Sequence, residues 1–156
     1  MQQRRVVTGH DANGRAVVIL DEIVSRTVSS RPGSTASVIW TTEGFPVDNN
    51  GSEDASQLLT GTTRPNGTVF RVLEFAPGIA PRNHRTDTVD YLVVISGEID
   101  MVLDDQVVHL RAGDALVQRG TIHNWVNNST EPCTMAVVLI DAKPVNVGGK
   151  VLHAEG

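Results

Sequence analysis

Apolar and polar residues alternate along this chain in short runs, and clusters of turn-forming residues separate the runs. Residues 5–9 and 15–20 are two such runs around His10-Asp11-Ala12-Asn13-Gly14. Asn-Gly supplies the positive φ that tight hairpin turns need, so the chain is predicted to open with a β-hairpin. Residues 37–42 form the next predicted strand and carry Trp40. Residues 43–66 are rich in Gly, Asn, Ser, Asp and Thr, and predict a long surface loop with one helical turn at 55–59. A loop of that length in a compact domain serves as a lid or a swapped arm more often than as a passive connection. From Thr68 onward the runs become dense, with strands predicted at 69–75, 90–96, 98–103, 106–110, 115–118, 122–127 and 132–141. Seven or more short strands, each about ten residues after the last, predict a sandwich or barrel. Residues 143–156, with a Pro and two consecutive Gly, read as a tail that wraps the body or packs on a neighbour.

Composition points the same way. The chain holds 23 Val, 14 Thr and 8 Ile against 10 Leu, and β-branched side chains suit pleated surfaces. Its 156 residues are enough for one domain with its own core, without disulfides or structural metal. Net charge is -5, from 13 basic and 18 acidic residues, and no run of Lys or Arg provides a phosphate-binding stripe. Nucleic acid and membrane are therefore not expected partners. Arg4-Arg5 is followed by no apolar signal segment, so a cytoplasmic location is expected. Cys133 is the only cysteine, which excludes a disulfide framework. There is no nucleophile elbow, phosphate loop or dinucleotide fingerprint.

Two segments couple a glycine turn to a histidine. The first runs Gly78, five residues, His84-Arg85-Thr86, three residues, Asp90, six residues, Gly97. The second runs Gly113-Asp114, then Gly120-Thr121-Ile122-His123, three residues, Asn127. In order, and on a strand-rich chain, they resemble the two motifs of the cupin superfamily. The resemblance implies an all-β fold, a double-stranded β-helix (jelly-roll) cupin barrel, here with an N-terminal β-hairpin arm. It divides the chain into 1–66 (arm, strand and long loop packing on the barrel), 67–142 (core barrel) and 143–156 (tail). The second motif is one residue short between Gly113 and Gly120, and Gln118 stands where the family has proline.

By position, the resemblance makes His84, Asp90 and His123 the metal ligands and catalytic residues. One divalent metal (Fe, Zn, Mn or Ni) is implied, or none, because the sequence departs from the family at two ligands. Thr86 stands where the second histidine would be, and Asp90 replaces a longer glutamate. Two imidazoles and a carboxylate are also the facial-triad set of non-haem iron. Without a metal, the same histidines and Asp90 could serve as an acid–base set. Substrate-binding candidates are Trp40, Arg82, Arg85, Thr86, Tyr91, Gln118 and Trp125, with Arg71 near the first motif as a further cation able to clamp a carboxylate. The expected activity is oxygenase, decarboxylase, isomerase or lyase chemistry on a small organic acid or phenolic compound. A metal-free acid–base enzyme and a non-enzymatic binder of small ligands are the alternatives. The resemblance also implies a homodimer.

Overall fold

The structure is a computed structural model that describes residues 2–58 and 61–156. Its strands are β1 (Arg4–His10), β2 (Ala16–Ile23), β3 (Thr27–Val28), β4 (Ser34–Glu43), β5 (Gly67–Phe75), β6 (Thr88–Ser96) and β7 (Glu98–Val102). Then follow β8 (Val107–Arg111), β9 (Ala115–Arg119), β10 (Asn124–Val126), β11 (Cys133–Asp141), β12 (Val145–Val147) and β13 (Lys150–Leu152). The expected helical turn is a 3-10 turn at Ala55–Leu58; Leu59, its predicted last residue, lies outside the described residues.

Six strands form the main sheet in the order β3-β4-β5-β11-β6-β9, and three form a smaller sheet, β10-β7-β8. Both sheets bury their inner faces in one core, so they close on each other as the two walls of a barrel. Val38, Val69, Leu92, Val94, Met135, Val137 and Leu139 come from the large sheet, and Ile99, Met101, Leu110 and Trp125 from the small one. Strand β11 shows the period-2 logic most cleanly: Cys133, Met135, Val137 and Leu139 are buried, while the residues between them are only partly covered. Cys133 is a fully buried free thiol that packs as a small hydrophobe. The barrel draws on residues before 67, because β3 and β4 are members of the main sheet.

The opening hairpin is present, with β1 and β2 paired antiparallel. Two strands alone are marginal in water, and the hairpin is tied down through Arg5, which is 3% exposed. Its guanidinium donates to both carboxylate oxygens of Asp54 at 2.8 Å, to Ser56 Oγ at 2.7 Å and to Glu22. That set joins the hairpin to the long loop. The tail folds as a second hairpin, β12–β13, and then returns to pair Glu155 with Arg85. No helix among the described residues is long and apolar enough to cross a membrane.

Candidate active site in the barrel

A cavity of about 350 Å³ opens between the two sheets. Its histidines are set by the backbone. The His84 and His123 peptide groups form an antiparallel bridge, each N–H donating to the other carbonyl at 3.0 Å. That bridge brings the two rings to a centroid distance of 4.2 Å, tilted by 49°.

The tautomer of His84 follows from its partner. Nδ1 of His84 lies 3.1 Å from the Arg82 carbonyl, and Nδ1 of His123 lies 3.0 Å from the Thr121 carbonyl. A carbonyl oxygen only accepts, so the His84 proton sits on Nδ1 and its lone pair on Nε2. Trp125 meets the His123 ring edge-on at 5.5 Å, and the Gln118 carboxamide nitrogen lies 2.5 Å from His123 Nδ1 and 3.3 Å from Nε2, so a donor and a carbonyl both face His123 Nδ1. Burial, the His84 charge and then Arg31 and Arg82 all disfavour a proton on His123, and its pKa falls to about 4. His84 is lowered as well, chiefly by burial. Both imidazoles are therefore neutral at physiological pH.

Asp90 sits on β6 directly opposite Gln118 of β9, and both open onto the cavity. It is 6% exposed, and its Oδ1 is buried without a hydrogen-bond partner. Burial raises its pKa to about 6, and the Thr88 hydroxyl draws it back only in part. Thr86 also lines the cavity, but its hydroxyl is 2.7 Å from that of Thr88. Asn127, the last residue of the second motif, has a structural task. It donates to the Phe75 and Glu131 carbonyls at 2.9 Å and is 1% exposed.

The structure thus brings His84, Thr86, Asp90, Arg82, Gln118, His123 and Trp125 to one cavity. Three expected contacts lie elsewhere. Tyr91 follows Asp90 on β6; adjacent strand residues face opposite ways, and Tyr91 is 53% exposed. Arg85 points away from the barrel and pairs with Glu155 at 3.3 Å. Trp40 lines a groove between the hairpin, β4 and the long loop. A register shift between Val38 and Trp40 places Trp40 opposite Phe70, not opposite Val69, and so on the outer face of the sheet. Conversely, Arg26 and Arg31 line the cavity, as do Gly61 and Thr62 of the long loop, and sequence reasoning did not single them out.

The metal implied by the resemblance finds an incomplete donor set. Two imidazoles converge, but the position of a further histidine holds a neutral hydroxyl already bonded to Thr88. Among the described residues no group of three or more His, Cys, Asp or Glu side chains is gathered so as to hold a metal ion.

Comparison with known proteins places this geometry in a family. A profile described as "Cupin domain" matches residues 71–140. The cupin-domain-containing oxidoreductase fogC of Aspergillus ruber is 39% identical over 96% of this chain and 77% of its own length. The phomopsin biosynthesis cluster protein C' of Diaporthe leptostromiformis is 38% identical over 95% of this chain and 83% of its own. Among solved structures, an uncharacterized protein with a double-stranded β-helix domain from Klebsiella pneumoniae superposes with a TM-score of 0.53. That match is 22% identical and covers 83% of this chain and 90% of the other, so it speaks for the fold alone. With two sheets closed on one cavity and both histidine motifs meeting inside it, the chain belongs to the cupin family and is a cupin-type enzyme of the oxidoreductase kind.

Proposed function

We propose that the chain acts on a small organic acid or phenolic compound inside the barrel, using its own side chains to take a proton from the substrate. The observation that carries this is the His84–His123 pair, in which the His84 Nδ1–H is tied to the Arg82 carbonyl. His84 Nε2 is then an open lone pair, whereas both ring nitrogens of His123 are faced by the Gln118 amide. Asp90, on the same cavity, is a carboxylate with an unpartnered oxygen and a pKa of about 6, close to working pH. A base in that range combines a large ionised fraction with useful proton affinity.

Arg31 and Arg82 supply the complementary charge. Both lie near enough to the histidines to lower their proton affinity, and the same field stabilises a substrate anion. The step these residues support is transfer of an acidic C–H or O–H proton to His84 or Asp90, leaving an enolate or phenolate held by the guanidinium groups. Such an anion is the electron-rich form that an external oxidant such as dioxygen attacks, which fits the oxidoreductase type. No step is routed through a metal, because the donor set present does not complete one.

Hydrogen exchange tests the reading without knowledge of the final product. A panel of 2-oxo acids, 1,3-dicarbonyl acids and phenolic acids is incubated with the protein in D2O containing EDTA, and the acidic C–H signals are followed by proton NMR. Protein-dependent deuteration of a panel member, lost in Asp90→Asn and His84→Gln, is the expected result. Exchange that EDTA abolishes and a divalent ion restores would overturn it.

A further inference from the structure

Three guanidinium groups line the barrel cavity, and among the described residues neither Arg31 nor Arg71 has a carboxylate to neutralise it. Arg71, on β5, is 8% exposed and lies between Val38 and Val137 of the flanking strands. It donates to the Gly61 carbonyl at 2.6 Å, while its Nε is buried with no partner. Arg31 reaches Asn124 Oδ1 at 3.3 Å and stands 5.9 Å from the centre of the Phe75 ring. Arg82 donates to the Gly156 carbonyl through Nε at 3.2 Å and through its terminal nitrogen at 2.7 Å. Among the described residues neither Arg31 nor Arg71 forms an ion pair.

Burying a guanidinium without a counter-charge is costly, and a single carbonyl does not offset it. Burial and the nearby Arg26 bring the Arg71 pKa down to about 10, so the site pulls hard for an anion. The one carboxylate on the cavity wall, Asp90, is not among the groups that act on Arg71. The cations also fall into two groups. Arg31 bonds Asn124, the neighbour of His123, and Arg82 offers its carbonyl to His84 Nδ1, so both stand beside the histidines. Arg71 is held by the Gly61 carbonyl at the other wall, with Arg26 the cation that acts on it.

We infer that the cavity takes a small dianion, with one acidic group held by Arg31 and Arg82 beside the histidines and the other by Arg71 at the wall lined by Gly61 and Thr62. The inference rests on the reading of this cavity as the substrate site. It adds a second anionic group to the substrate and makes Arg71 the residue that selects for it. A monoanion satisfies one pole and leaves the other uncompensated; a dianion of the right length satisfies both.

Isothermal titration calorimetry on the full chain tests this with the α,ω-dicarboxylates from succinate to pimelate, each set against the monocarboxylate of equal carbon number. The expected result is that at least one dicarboxylate binds about tenfold or more tighter than its monocarboxylate, the value of one buried charge-assisted contact. Arg71→Met removes that advantage, bringing dicarboxylate affinity down to that of the matching monocarboxylate, and Arg71→Lys keeps part of it. Equal affinities in the wild type, no binding by any of these acids, or an advantage that survives in Arg71→Met would overturn the inference. The wild-type comparison needs no variant, so it decides even if Arg71→Met fails to fold. Because calorimetry reads binding alone, Arg71-dependent dicarboxylate binding without hydrogen exchange would contradict the acid–base reading and leave this one standing. Exchange with no dicarboxylate preference would do the reverse.

Discussion

His84 and His123 are joined by a reciprocal pair of backbone hydrogen bonds, and that bridge holds their rings 4.2 Å apart inside the barrel. The two motifs, far apart in sequence, therefore meet at one pair of peptide groups before any side chain is considered. Because the His84 Nδ1–H faces the Arg82 carbonyl, the backbone also fixes Nε2 as the His84 nitrogen left to do chemistry.

Asp90 and His123 give the fold opposite pH dependences. Folded Asp90 holds its proton up to about pH 6, against 3.8 in an unfolded chain. Its favourable contribution is present below 3.8 and is lost as pH rises through 6. His123 resists protonation down to about 4, while an unfolded histidine takes up a proton from about 6.5, so this residue costs stability as pH falls across that window. Asp90→Asn should therefore stabilise the protein at pH 8, by up to about 3 kcal/mol. The gain should shrink as pH is lowered from 6 to 3.8. Urea melts of the two proteins at pH 8, 6 and 4 check this; a variant less stable at pH 8 would mean that the carboxylate is paired.

Thr86 occupies the position of a family metal ligand, and its hydroxyl is spent on Thr88. Thr86→His adds a third imidazole beside the existing pair. It should raise zinc affinity by about tenfold or more, since thiolate-free zinc sites rest on three such protein ligands. Zinc titration by calorimetry reads the difference. Equal affinity in variant and wild type would show that His84 and His123 do not face one point.

Gly97 and Gly113 separate two reasons for a glycine. Both have positive φ, 74° and 93°. A Cβ at Gly97 would lie 2.5 Å from the Pro132 carbonyl oxygen, whereas one at Gly113 would meet nothing within 4 Å. Gly113→Ala should cost about 1 kcal/mol from backbone strain alone. Gly97→Ala should cost clearly more, about 3 kcal/mol or above, because β6 and β11 must part to admit the methyl group. Thermal melts rank the two, and the reverse order would contradict the packing described at Gly97.

Most of the barrel could be read from the period-2 runs, since β6, β7 and β11 each bury alternate residues and β8 and β9 alternate in exposure, around turns marked by Gly or Asp-Asp. The catalytic side of the site was legible for the same reason. His84, Thr86 and Asp90 share one parity, and Gln118 meets Asp90 across the sheet. Parity applied strictly also excludes Tyr91 and Arg85, each being the immediate neighbour of an inward residue. Trp40 is different: the irregularity at Ile39 moves it to the outer face, and no turn residue or proline announces that shift. Arg31 carries no strand pattern of its own, because it reaches the cavity from the turn before β4. Gly61 and Thr62 arrive there from a loop whose course depends on tertiary anchors such as Arg5–Asp54.

The central claim is that the barrel holds two neutral imidazoles, with the His84 proton on Nδ1. Long-range proton–nitrogen NMR of the histidine rings, recorded from pH 8 down to pH 4 on the protein as purified, tests it most directly. The account predicts an Nδ1–H tautomer for His84 and a His123 that stays neutral until about pH 4. A His123 that protonates near 6.5, a His84 that carries its proton on Nε2, or an Nε2 shifted by a bound metal would contradict it.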